Sequence, residues 1–495
     1  MPELYQSLGF MFNPFSRFSA EEELDYLPEV FMKPRYFDVL TDDLLAGNTR
    51  FITGDRGSGK SALMYSLIEK LIRKNSFTLL IDTYHGIPSQ NNGPQFLRSI
   101  IEYLVTDYSL LLMMNNKKIR SLSNHNKENL SMLISVFFQP LNRKEIEQRI
   151  DRLTNYKKWN IVKKFINRVF NRSLNIILSG TAELISDVIS KSLGLPKINT
   201  EKFYKEYIPD LKETSVADYS NCNINNLDYQ NLKKILVLLR DIIIESGFTS
   251  ITIFFDKIDE FQVLEGKTTK IADFLRDITT DTSLLQIKKI SFVFITWSRV
   301  KSTLSLKNVR FDKFKPVDVN WTNEDMEKIL EKRIKYFSNE KKNLRDIFDS
   351  ISLGIIIELS NGSPRDVINL VSNIYDEQSM EDPKANKFNK TSIDKGTRRF
   401  VTKYDYNSYY GYSEIANSVI KSINRILQVG KSTFLLKDIA EVTKRSQASA
   451  SNYSRNMKEY GLINENESTS EQIKEYTIID PKIKFLISNG IKKIG

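Results

Sequence analysis

The 495 residues predict an α/β fold with an open parallel sheet, and two segments carry that expectation. In the first, the short apolar run 49–53 (T-R-F-I-T) leads into the glycine-rich stretch Gly54-Asp55-Arg56-Gly57-Ser58-Gly59-Lys60-Ser61, and residues 61–68 continue with apolar side chains at helical spacing. In the second, the largely apolar run 250–255 (S-I-T-I-F-F) ends in Asp256-Lys257-Ile258-Asp259-Glu260. The second run, largely apolar, suits a central strand covered on both faces, as in a parallel sheet.

The glycine-rich stretch is a complete G-x-x-x-x-G-K-S phosphate-binding loop, framed by the strand and helix it requires. Backbone N–H groups from Gly54 to Ala62 are expected to wrap the β- and γ-phosphates, aided by the field of the helix N-terminus. Lys60 neutralises phosphate oxygens, and Ser61 ligands Mg²⁺. Asp256, at the carboxyl end of its strand, is expected to lie beside the loop and hold the same ion. Asp259 and Glu260 follow within one turn, and either would polarise an attacking water. The alternative for these two is a solvated helix start, where acids favour the N-terminal field.

Strands are expected near residues 50–53, 77–83, 250–255, 289–295 and 315–320, with helices between them. Residues 94–114 read as the helix after the second strand and 227–246 as the helix before the third. The stretch 115–226 is therefore an insertion, too long for a loop. Between Lys117 and Arg172, fourteen Lys and Arg stand against four Asp and Glu, nearly all of the net charge of +11. Phe137, Phe138, Tyr156, Trp159, Phe165 and Phe170 recur there at mostly helical spacing. Two readings stand: a patch for nucleic acid, or a solvated face on inserted helices. Residues 176–195 read as a buried amphipathic helix, and 221–226 (N-C-N-I-N-N) as a polar linker.

A single cysteine, Cys222, excludes an internal disulfide framework. The N-terminal Met1-Pro2-Glu3-Leu4 lacks an apolar core, and the most apolar stretches (104–114, 174–195, 235–244) are short or interrupted by charge. A cytoplasmic protein with no membrane contact is expected. His85, His125 and Cys222 lack metal-ligand spacing, so no zinc site is expected.

Over roughly residues 9–374 the chain resembles the branch of P-loop ATPases that holds the STAND signalling ATPases and the origin-recognition AAA+ proteins. Four further features carry the resemblance. One is the lead-in Asn13-Pro14-Phe15 and Val30-Phe31-Met32-Lys33-Pro34, which in these families packs against adenine and here nominates Phe31 and Pro34. Another is Thr296-Trp297-Ser298-Arg299, similar to the T-x-R of STAND proteins but one residue longer, with Arg299 as the γ-phosphate sensor. The third, Trp321-Thr322-Asn323-Glu324-Asp325-Met326, resembles the start of a helical lid. The last, Gly362-Ser363-Pro364-Arg365, resembles the G-x-P-R in which the Arg touches phosphates from that lid. The resemblance implies ATP and Mg²⁺ as cofactors and ATPase activity, slow or stimulated, because Lys257 stands where AAA+ proteins carry Glu. Arg310 sits where AAA+ subunits offer an arginine finger; a plain surface arginine is the other reading.

Residues 380–399 are charged and read as an irregular connector. Helices at 415–428, 434–442 and 446–460, then strands at 462–464 and 475–479, predict a winged helix, as origin-recognition ATPases carry at this place. Gln447, Ser451, Asn452 and Arg455 would then face a major groove, with Lys444 and Arg445 on phosphates. The alternative is a wing that only packs on the ATPase and locks it. The expected division is a lead-in (1–48), a P-loop core (49–320) holding the insertion (115–226), a helical lid with connector (321–400) and a winged-helix unit (401–495). Two functions follow. One is a DNA-coupled ATPase, in replication or defence against mobile elements such as viruses. The other is a STAND-like scaffold that assembles with itself or a protein partner when ATP binds.

Overall fold

The computed structural model describes residues 3–115, 117–139, 228–410, 414–466 and 474–495, with positions 145, 148–149, 189–191 and 193–196. Its centre is a five-stranded parallel sheet: β1 (Arg50–Gly54), β2 (Phe77–Ile81), β3 (Ile251–Phe255), β4 (Ile290–Trp297) and β5 (Pro316–Asp318), in the order β2-β3-β4-β1-β5. The predicted α/β class is therefore the observed one. β4 lies between β1 and β3, with Phe51 opposite Phe294 and Phe255 opposite the same Phe294. That register stacks three rings across the sheet, centroids 5.0 and 4.8 Å apart. The fifth strand is shorter than expected because it starts at Pro316, which suits an edge.

Successive strand residues feed opposite faces, as pleating dictates. Phe51, Phe255 and Phe294 join a core with the helices Gly93–Met114, Tyr229–Glu245 and Thr268–Thr279. Ile52, Phe254 and Val293 join the helices Phe37–Leu45 and Lys60–Arg73 on the other face.

From the insertion, the helix Asn124–Phe137 is described. The Ser123 side chain caps it, and it packs on the first of these cores. Most of the basic stretch beyond residue 139, residues 176–188 of the expected amphipathic helix, and the linker 221–226 lie outside the described residues. Two described basic side chains of the segment are engaged: Arg149 pairs with Asp107 at 2.8 Å, and Lys118 stands 3.7 Å from the Phe248 ring centroid.

After β5 comes a helical unit: Asn323–Phe337, Ser350–Ser360, Pro364–Glu381 and Lys390–Thr402. The last corrects the irregular connector expected at 380–399. Its apolar residues are sparse among charges, yet Ile393, Phe400 and Val401 are buried, and the Asn389 side chain caps the helix. It lies so close to the preceding helix that a Cβ on Gly396 would meet Ile374 Cα at 2.5 Å.

The C-terminal unit holds the helices Glu414–Val429, Leu436–Thr443, Gln447–Glu459 and Pro481–Ser488. Here too the structure amends the expectation, because 434–442 is not all helix. Residues Thr433–Leu435 form a strand (β6) that pairs with β8 (Glu475–Ile478), which in turn pairs with β7 (Ile463–Glu465). This unit shares one continuous core with the helical unit and the N-terminal lead-in. Among the described residues, no helix is long and apolar enough to cross a membrane.

Candidate phosphate site between sheet and helical unit

β1 ends at Gly54, the chain turns through Asp55–Gly59, and the helix Lys60–Arg73 begins. Gly57 and Gly59 have φ of 82° and 86°, a backbone that side chains disfavour. At Gly57 space forbids a side chain as well: a Cβ there would meet Ser363 Oγ at 2.5 Å. Lys60 Nζ donates to the carbonyls of Gly54 and Asp55, both at 2.8 Å. Burial lowers the pKa of this ammonium, against the pull of Asp259, Asp256 and Asp55.

β3 delivers Asp256 to the same place, where Ser61 Oγ donates to Asp256 Oδ2 at 3.1 Å. Asp259 and Glu260 follow in a 3₁₀ turn after Lys257, whose φ is 58°. Asp259 takes an ion pair from Arg56 at 3.2 Å, while Glu260 is exposed on the cleft wall. Burial pushes the Asp256 carboxyl up to about 6, against bonds from the Lys257 N–H and Ser61 and the Lys60 charge. The folded protein therefore disfavours charged Asp256 more than the unfolded chain does. The stability that neutral Asp256 contributes is complete below about 3.8 and lost as pH rises through about 6. Asp256→Asn is expected to raise the melting temperature of the nucleotide-free protein near neutral pH and to change it little near pH ~4. Calorimetric scans at both pH values check this; an equal shift at both would contradict it.

The helical unit closes the site from above. Asn361 (φ 50°) and Gly362 (φ 69°) turn the chain so that Ser363 caps the helix Pro364–Glu381 directly over the loop. The Arg365 backbone N–H donates to Gly57 O at 3.3 Å, and Trp321 Nε1 donates to Ser58 O at 2.8 Å. Two helix N-termini thus point at one loop, and their fields add for an anion between them. The cleft encloses about 1120 Å³. Away from the loop, Leu27, Val30, Phe31, Met32, Ile329 and Ile368 make its wall apolar.

The structure brings together most of the residues expected from sequence. Arg56, Gly57, Gly59, Lys60, Ser61, Ala62, Phe31, Asp256, Asp259, Glu260 and Arg365 all line the cleft. Gly54, Asp55, Ser58 and Pro34 are not among the lining residues. Asp55 instead accepts from Ser298 Oγ, and Pro34 O accepts the Phe37 N–H in the turn before the helix Phe37–Leu45. Arg299 also lies elsewhere. Its guanidinium stands over the rings of Trp297 and Tyr410 and donates to Tyr410 O at 3.3 Å and Tyr460 O at 3.2 Å. It ties the end of β4 to the C-terminal unit. Arg310 pairs with its neighbour Asp312 at 2.6 Å on the exposed surface. Trp297, Trp321 and Ser363 stand inside the sequence motifs, but the motifs assign none of them a role at the site; their contacts come from elements distant in the chain.

The fold and the site can now be set beside known proteins. A family model described as Nephrocystin 3, N-terminal, matches residues 30–174, a stretch that includes β1, the phosphate loop and β2. No curated protein matches the chain. Among solved structures, the chain is similar to an Aeropyrum pernix ORC1 protein in complex with DNA. That likeness has 12% identity, covers 94% of each chain and gives a TM-score of 0.38. It is also similar to the Aeropyrum pernix ORC2 protein in ADPNP–ADP complexes, at 10% identity over 98% of this chain and 97% of that one, TM-score 0.43.

The residues present fit a nucleoside triphosphate with Mg²⁺. The cradle has no room for side chains at Gly54 and Gly57, Lys60 turns its ammonium onto loop carbonyls, and Ser61 and Asp256 set two oxygen ligands side by side. Oxygen donors of this kind suit Mg²⁺. Among the described residues, no cluster of three His, Cys, Asp or Glu forms a metal cage.

Proposed function

We propose that this protein is an ATP-binding switch with slow or stimulated hydrolysis, which acts on or with DNA. The convergence of Lys60, Ser61 and Asp256 beneath the start of the helix Pro364–Glu381 carries the reading. Lys60 would leave the loop carbonyls for phosphate oxygens, and Ser61 and Asp256 would hold Mg²⁺, which neutralises charge on the phosphates. Arg365, exposed at the cleft rim on the lid helix, would meet the terminal phosphate from above. Glu260 or Asp259 would orient the attacking water.

The DNA part rests on the C-terminal unit, read as a winged helix. Lys444, Arg445, Gln447, Ser451, Asn452 and Arg455 are all exposed on and before the helix Gln447–Glu459. Their types suit phosphate and base-edge contacts. Turnover should rise with duplex DNA, in a manner that weakens steeply with salt. Arg455→Ala with Lys444→Ala should lower that stimulation and leave basal turnover alone. Stimulation unchanged in the double variant would remove this helix from the DNA reading.

A second reading is favoured by how the C-terminal unit is held. Arg299 and Lys482 fasten it to the sheet and to the lid, which suits a STAND-like scaffold that opens and assembles on ATP binding. Turnover unmoved by DNA, together with ATP-dependent oligomers in sedimentation, would favour it.

A further inference from the structure

With Arg299 bound to the C-terminal unit, three arginines line the cleft among the described residues: Arg333, buried and paired with Glu23, Arg365, exposed on the helical unit, and Arg56, inside the phosphate loop. Arg56 is the third residue of the loop, and its side chain is largely buried. Its guanidinium reaches Asp259 Oδ2 at 3.2 Å, longer than the ~2.7–2.9 Å of a tight charge-assisted bond. Behind it lies Trp297, with the Arg56 guanidinium carbon 5.7 Å from the ring centroid; Arg299 stands 4.8 Å from the same ring. Asp259, the partner, lies three residues beyond the carboxylate that meets Ser61.

We infer that Arg56 reads the terminal phosphate by changing partners, leaving Asp259 for that phosphate when a triphosphate occupies the cleft. The inference rests on the nucleotide reading above. Backbone N–H groups and Lys60 serve the β- and γ-phosphates, of which the β-phosphate is common to di- and triphosphates. Arg56 is tethered at the cleft wall by the Asp259 carboxylate. A terminal phosphate brings more charge and more acceptor oxygens into the same space, and the planar guanidinium is suited to it. A diphosphate offers no such competitor, so Arg56 keeps Asp259. The exchange has two consequences. It uncovers the Asp259 carboxylate toward the cleft, and it moves a cation away from the ring that Arg299 shares.

The test is titration calorimetry of wild type, Arg56→Ala and Asp259→Asn with Mg²⁺·ATP and Mg²⁺·ADP. Wild type should prefer ATP. Arg56→Ala should weaken ATP binding by about tenfold or more, with ADP binding changed by about twofold or less. Asp259→Asn removes the competitor and should strengthen ATP binding relative to ADP, which keeps the inference open to test if Arg56→Ala fails to fold. Equal losses for both nucleotides in Arg56→Ala would make Arg56 a staple of the loop and overturn the inference. An unchanged ATP-to-ADP ratio in Asp259→Asn would overturn it too. Wild type that binds neither nucleotide would overturn the parent reading, a result distinct from either of these.

Discussion

Lys482→Ala should lower the stability of the protein by about 3–5 kcal/mol, the cost of stranding one member of a buried ion pair. Lys482 is fully buried in the first turn of the helix Pro481–Ser488. Its ammonium lies 3.1 Å from Asp366 Oδ2, without hydrogen-bond alignment, and above the rings of Tyr404 and Tyr409 at 4.5 and 5.6 Å. Tyr404 Oη donates to the same Asp366 oxygen at 2.8 Å. Burial raises the Asp366 carboxyl, while Lys482 and Tyr404 hold it down. Without the ammonium, a carboxylate stays behind in a site of tyrosine rings. The double variant Lys482→Met with Asp366→Asn should recover most of the loss, because neither charge is then left alone. Urea denaturation of the three variants measures this, and a loss under about 1 kcal/mol for Lys482→Ala would contradict it. Asp366 is the neighbour of Arg365, so this pair joins the C-terminal unit to the rim of the cleft.

The second large effect is expected at Lys60. Lys60→Ala should reduce ATP turnover by about 100-fold or more, some 2.7 kcal/mol of lost charge stabilisation at the phosphates. Folding should survive, because the lysine is the first residue of its helix and its bonds go to two loop carbonyls. An alanine at that position also favours helix. A melting temperature within a few degrees of wild type would show that turnover, not folding, was lost. Turnover within about twofold of wild type would place the chemistry elsewhere.

The sheet was legible because its central strands are apolar runs buried on both faces, so composition alone marks 250–255 and 289–295. The phosphate loop was legible because Gly57 and Gly59 answer a left-handed backbone, and Gly57 a close approach to Ser363, that the structure shows. The helix Lys390–Thr402 was not, because it buries a few apolar side chains in a charged sequence and owes its place to close packing at Gly396. Arg299 marks another limit. Resemblance to the strand-plus-Arg of STAND proteins located it at the sheet's carboxyl edge, but which way a long side chain turns there depends on Tyr410 and Tyr460, over a hundred residues away. Trp321 escaped for the same reason: its bond to Ser58 O crosses from one unit to another. No local pattern encodes such contacts.

The most direct measurement is the binding of Mg²⁺·ATP to the wild-type protein and to Lys60→Ala by titration calorimetry. Saturable binding to the wild type, weakened about 100-fold or abolished in Lys60→Ala, is the expected result. Wild type that takes up no nucleotide, or Lys60→Ala that binds as tightly, would contradict a nucleotide site in this cleft.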